Sequence, residues 1–182
     1  MKEKYQEQKA EINNHIEAKK ANAVLSANKE AYTTAVQNQD SALQTLVDTQ
    51  NLYNEKVADM NTKYTSLQNI MGMSVSEYAQ MNGLEEDAIE TKALLAEAQQ
   101  KANDEYNASV GAVSEARTAL RNAEDTYVGY QTTIQNYEGL SSAIISGDAD
   151  KINEALDNMT NNFITAETGT RETLEKQVQD ME

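Results

Sequence analysis

The sequence predicts an all-α protein: a long antiparallel helical hairpin, built as a coiled coil, followed by short C-terminal helices. Three observations carry that reading. The 182 residues include 24 alanines and no proline, and proline is the residue that long helices exclude, because it lacks an amide donor and clashes with the preceding turn. Apolar residues recur every seven positions over two long stretches, the pattern of a coiled-coil seam. Between those stretches lies one convincing break, at residues 72–83. Leu, Ile, Val and Phe make up only about 17% of the chain, which carries a net charge of −15. That composition cannot fill a broad globular core, so order must come from helices sharing a narrow apolar seam.

In the first helix, Val36, Leu43, Val57, Tyr64 and Met71 occupy one heptad position, with Gln50 as its polar exception. Tyr32, Leu46, Tyr53, Met60 and Leu67 occupy the other, with Gln39 as the exception. Upstream, Tyr5, Ile12 and Ile16 follow a different register that Leu25 leaves, which predicts a stutter near residues 17–24.

Gly72 ends that helix. Ser74-Val75-Ser76-Glu77 reads as a capping box, in which hydroxyl and carboxylate satisfy the free amides of a new helix. Asn82-Gly83 supplies a left-handed C-cap. Ala79, Gly83 and Ile89 also fall at the spacing of a DNA-binding helix-turn-helix, but its reading helix would open with Glu85-Glu86-Asp87 against phosphate. A capped hairpin tip is the plainer reading.

The second helix returns with Tyr106, Val113, Leu120, Tyr127 and Ile134 at one position. Ser109, Ala116, Ala123, Tyr130 and Tyr137 hold the other, and a local stutter runs from Leu95 through Ala98 and Ala102 to Tyr106. At about 1.5 Å per residue such helices form a rod. A tip centred near residue 77 or 78 predicts facing residues whose numbers sum to roughly 155. Tyr53 then lies opposite Ala102, Tyr32 opposite Ala123, Val57 near Ala98, Val36 near Ala119 or Leu120, and Leu25 near Tyr130. Large rings facing alanine keep a narrow seam close-packed.

Domain organisation follows: a hairpin over 1–138, then short amphipathic helices over 139–182 punctuated by Gly139, Gly147 and Gly169. Asp148 caps a helix carrying Ile152, Leu156, Met159 and Phe163 on one face. That stripe must be covered, by folding back on the hairpin's open end beside Tyr5, Ile12 and Ile16, or by a second copy of the chain. Thr170 caps a last helix bearing Leu174, Val178 and Met181. Its stripe runs to the terminus, as expected if the chain continues into a longer parent.

The chemistry that the residues exclude is broad. With no cysteine, thiolate metal sites and disulfides are ruled out. His15 is the only histidine and reads as a solvated helix residue. Asp148-Ala149-Asp150 could open a calcium loop, but Asn153 and Met159 stand where such a loop needs Gly and Glu, which favours a helix cap. There is no phosphate-binding glycine loop and no nucleophile elbow, and the many carboxylates fall on exposed faces. The expectation is no catalytic, cofactor-binding or metal residue, and no enzyme. No apolar run reaches the length of a membrane span, and the start shows no apolar signal segment. Residues 1–30 are nearly balanced, with six Lys against five Glu, so all of the net negative charge falls on 31–182. Most of this surface would repel nucleic acid and anionic membranes.

The run Asn136-Tyr137-Glu138-Gly139-Leu140-Ser141-Ser142-Ala143-Ile144-Ile145-Ser146-Gly147-Asp148, continuing through Asp150-Lys151-Ile152-Asn153-Glu154-Ala155-Leu156, resembles segments of phage tail tape measure proteins from Gram-positive hosts and their prophages. Asn161-Asn162-Phe163-Ile164-Thr165-Ala166-Glu167-Thr168-Gly169 and Thr173-Leu174-Glu175 are similar too. The resemblance implies a structural protein that sets tail length inside the tail tube, with other copies of itself and tail tube and tail assembly proteins as partners. It also implies a place in the virion tail, or in the bacterial cytoplasm during assembly. It carries no functional residues across. The heptads alone equally fit a bacterial coiled-coil interaction or spacer module on a surface, secreted or in signalling.

Overall fold

The computed structural model describes residues 2–86 and 88–160. Its elements are α1 (Lys2–Met71), α2 (Val75–Asn82) and α3 (Ile89–Ser146), followed by a further helix, α4 (149–160). Among the described residues there is no strand, and the non-helical positions are confined to 72–74, 83–86, 88 and 147–148. The protein is an all-α helical hairpin.

Neither glycine nor proline interrupts α1, so every interior amide finds its carbonyl four residues back. At Gly72 the chain turns. Ser74 Oγ accepts from the Glu77 amide at 3.2 Å, and Glu77 Oε2 accepts from the Ser74 amide at 2.8 Å, the reciprocal box the sequence predicts. Gly83 closes α2 at φ 67°, in the left-handed region that glycine enters without strain. The connection does not end there: α3 begins only at Ile89. Buried Thr91 fastens this stretch by donating to the Glu85 carbonyl at 2.6 Å.

Two compact units make up the chain. In the unit formed by 42–126, α1 and α3 pair antiparallel. Lys63 Nζ lies 3.4 Å from Glu105 Oε2, and the Tyr64 and Tyr106 ring centroids are 5.5 Å apart. Gln99 donates to the Ile70 carbonyl at 3.2 Å. The numbers of these partners sum to 168–170 rather than 155, which corrects the predicted register by two heptads. Tyr53 is therefore level with Ala116, not Ala102, and Val57 with Ala112, not Ala98. The physical reason is the tip. The connection after α2 leads into α3 at Ile89, well before Ala98, the residue level with Met71 at the end of α1, and Ala79, Thr91 and Leu95 are buried in this stretch.

The α3 seam is as predicted: Ser109, Ala116 and Ala123 are buried, and Tyr106, Val113 and Leu120 half-buried. The stutter is present too, with Leu95, Ala98, Ala102 and Tyr106 all turned inward. On α1 only one of the two predicted positions packs. Leu46, Tyr53, Met60 and Leu67 are half-buried, but their companions are Ala42, Thr49, Lys56, Lys63 and Ile70, one residue before the predicted stripe. Size complementarity selects them. Leu46, Tyr53, Met60 and Leu67 are level with Ala123, Ala116, Ser109 and Ala102, while Thr49 and Lys63 are level with Leu120 and Tyr106. Each layer thus pairs one large side chain with one small or flexible one.

In the unit formed by 1–41 and 127–182, Tyr32 stacks on Tyr137, so Tyr32 does not face Ala123. A three-helix core follows: Ala21 of α1, Leu140 and Ala143 of α3, and Ile152 and Met159 of α4 are buried, flanked by Ala18, Val24, Leu25, Ile144, Ala155 and Leu156. The predicted fold-back of the Ile152 stripe holds for Ile152, Leu156 and Met159, while Phe163, Gly169, Thr170, Leu174, Val178 and Met181 lie outside the described residues.

Three details differ from expectation. α3 runs through Gly139 to Ser146, because burial of Leu140 and Ala143 outweighs a glycine cost of about 1 kcal/mol. α4 covers Ala18 to Leu25 rather than Ile12 and Ile16, which are 60% and 44% exposed. Inward residues keep one register from Ala18 to Tyr32, so no stutter is needed. Gly147, at φ 66°, and Asp148, whose Oδ1 accepts from the Asp150 amide at 3.0 Å, make the turn into α4.

Candidate interaction surface

None of the residues weighed for chemistry forms a reactive cluster. His15 is exposed on α1. The Asp148 carboxylate is turned to the amides of Asp150 and Lys151, as an N-cap, and its other oxygen lies 3.8 Å from Lys151 Nζ. Among the described residues no group of three His, Cys, Asp or Glu side chains could hold a metal ion. In the segment spaced like a helix-turn-helix, Ile89 is 85% exposed instead of packed, and Glu85 and Glu86 face solvent.

Among the described residues, shallow depressions lie on α3 and between α3 and α4. Glu97, Gln100, Lys101, Asp104, Glu105 and Ala108 line one on the charged side of α3. Gly139, Ser142, Ser146, Lys151, Glu154 and Asn158 are among the residues around the other, between α3 and α4. Neither brings a nucleophile to a base. No described helix is long and apolar enough to cross a membrane.

The feature that stands out is apolar. Within the 42–126 unit, the second predicted heptad position of α1 is only partly covered, leaving Leu43 42%, Tyr64 46% and Met71 58% exposed, and Val47 beside them 46% exposed. Val57 is half-buried and Gln50 exposed between them. The spacing that marked these residues as a seam was sound, but α3 meets it only at its edge, where the Tyr64 ring lies against Tyr106. Sequence reasoning missed the small-residue seam, although alanines at 21, 35 and 42, spaced by multiples of seven, were its visible trace.

Two of the polar residues at predicted seam positions, Ser109 and Gln50, behave differently from each other. Buried Ser109 donates back to the Tyr106 carbonyl at 2.6 Å, which lets it act as a small residue without an orphaned hydroxyl. Gln50 is instead engaged along its own helix, donating to Asn54 Oδ1 at 3.1 Å.

Comparison with protein-family models, with curated proteins and with solved structures finds no match for the chain.

Proposed function

We propose that this chain is a structural and assembly segment of a phage tail tape measure protein, which sets tail length inside the tail tube and does no catalysis. The observation that carries the proposal is the likeness of residues 136–175 to such proteins. The described part of that stretch contributes Leu140, Ala143, Ile152 and Met159 to a buried core shared with Ala21 of α1, and shows no cleft lined by reactive groups. Heptad-paired helices with a capped tip suit a part whose property is length. Its partners on this reading are further copies and the tube and assembly proteins, in the virion tail or in the host cytoplasm before assembly.

The test is paired deletion of residues 44–57 and 112–125, which removes two heptads from each helix and preserves the pairing. At about 1.5 Å per residue, tails should shorten by about 21 Å if the hairpin persists in the tube, or about 42 Å if its arms lie end to end. Tails of unchanged length would overturn the proposal. The second reading, a bacterial coiled-coil spacer or interaction module, is favoured by the same capped hairpin. Flanking genes for secretion or chemotaxis, in place of tail tube and tail chaperone genes, would select it.

A further inference from the structure

We infer that the face of α1 carrying Leu43, Val47, Val57, Tyr64 and Met71 is an interface that binds the same face of a second copy of the chain. Three observations on the 42–126 unit converge on it.

The first is charge. A quarter of the chain is charged and its net charge is −15, yet this side of α1 has no charged residue between 42 and 71. The stripe itself (43, 50, 57, 64, 71) and the two rows beyond it (47, 54, 61, 68 and 44, 51, 58, 65) contain only Leu, Val, Ala, Tyr, Met, Thr, Asn and Gln. All five charges of that stretch, Asp48, Glu55, Lys56, Asp59 and Lys63, lie on the other rows. Across the seam, on the α3 rows that flank the same side, Asn103, Asn107, Val110 and Ser114 are uncharged, with Val110 41% exposed, while Arg117, Arg121 and Glu124 bring charge only towards the Leu43 end. A cationic partner would need acids here. A second copy of an acidic chain needs their absence, because like charges brought together cost free energy.

The second is continuity with an existing interface. The exposed stripe alternates at steps of three and four with Leu46, Tyr53, Met60 and Leu67, which already pack towards α3. One row of residues therefore serves two adjoining seams, the arrangement by which a helix joins a bundle of more than two.

The third is extent. From Leu43 to Met71 the stripe is about 42 Å long, and at a helix width of about 10–12 Å two copies would bury on the order of 800–1,000 Å² in all. That is the size of a weak, reversible association.

The experiment needs only the purified chain and is indifferent to its place in a tail. Sedimentation across about 5–500 µM should show a concentration-dependent dimer. Raising salt from about 20 to 500 mM should strengthen it, since screening relieves repulsion between acidic chains. Leu43→Glu with Val47→Glu, both exposed, should weaken association at least about tenfold. Thr62→Glu with Asn69→Glu, on the charged side, should change it less than about twofold. Circular dichroism checks that all remain helical. Because the protein has no cysteine, Val57→Cys supplies an independent readout. It lies midway along the stripe and should form a disulfide-linked dimer under mild oxidation in either helix orientation, while Asn69→Cys should not. A wild-type chain monomeric to about 500 µM, association weakened by salt, or equal effects of the two glutamate pairs would each overturn the inference.

Discussion

Tyr32 of α1 and Tyr137 of α3 stack nearly parallel, with ring centroids 4.2 Å apart and planes 13° apart, and the Tyr32 hydroxyl donates to Glu138 at 3.3 Å. Desolvation, then the Glu138 charge and this hydrogen bond, hold the Tyr32 phenol above its ordinary pKa. The pair joins the two helices next to the three-helix core. In a double-mutant cycle with Tyr32→Ala and Tyr137→Ala, the coupling should be about 0.5–1.5 kcal/mol. Urea denaturation of the four proteins measures it, and additive losses would show that the rings merely lie side by side.

Ile152→Ala should cost about 2–5 kcal/mol, because it empties a fully buried position against Leu140 and Ala21. Ile145→Ala, at an 83% exposed residue of the same region, should stay within about 0.5 kcal/mol. Hydrogen exchange should rise over 149–160 in the first variant alone.

Engineered cysteines read the register directly. Met60→Cys with Ser109→Cys, level with each other, should cross-link within one chain. Tyr53→Cys with Ala102→Cys, partners under the register that sums to 155, should not, since a disulfide tolerates only about 4.4–6.8 Å between α-carbons. Mass spectrometry of the oxidised monomer distinguishes them.

The tip should loosen in acid. Hydrogen bonds from the Ser74 amide and then its hydroxyl lower the Glu77 pKa. A carboxylate with a lowered folded pKa contributes stability that is present above the ordinary Glu range and lost as pH falls through the folded value. Exchange protection of the α2 amides should therefore drop on acidification below that range. Glu77→Gln should flatten the dependence, and Ser74→Ala should cost about 1 kcal/mol at neutral pH.

Gly111, Gly129 and Gly139 lie inside α3, where an added Cβ would meet nothing within 4 Å. Replacing any of them by alanine should raise stability by about 0.5–1 kcal/mol, seen as a higher melting temperature by circular dichroism.

Much of this architecture was legible in the sequence, and the failures have definite causes. The α3 seam could be read because its large and small residues, Tyr106 through Tyr127 and Ser109 through Ala123, both lie where the period of seven puts them. On α1 the period pointed to the most apolar row, whereas α3 packs beside the row holding Ala42 and Thr49. Hydrophobicity ranks residues one at a time, but packing chooses pairs whose sizes add up. The register failed for a related reason. Leu46, Tyr53, Met60 and Leu67 are all large and Ala102, Ser109, Ala116 and Ala123 all small, so a slip of one or two heptads preserves the match, and only the tip decides. The caps at Ser74, Gly83 and Asp148 were readable because capping is local. The interaction surface was visible as a pattern but not as a surface, since a single sequence shows which row is apolar without showing whether the chain covers it.

Sharing one row of α1 between two seams also has a consequence in time. A ribosome adding about 5–20 residues per second finishes Met71 some 4–15 s before it reaches Ser146. Throughout that interval α1 has no α3 to pack against, and both of its seams are bare. Neighbouring ribosomes on one message hold identical nascent helices at high local concentration. The charge-free stripe can then meet its counterpart on another chain while the alanine-rich side still waits for α3. Apart from the shared row, assembly between copies and folding within each copy use different sides of the same helix, so the earlier event leaves the alanine-rich side open to α3.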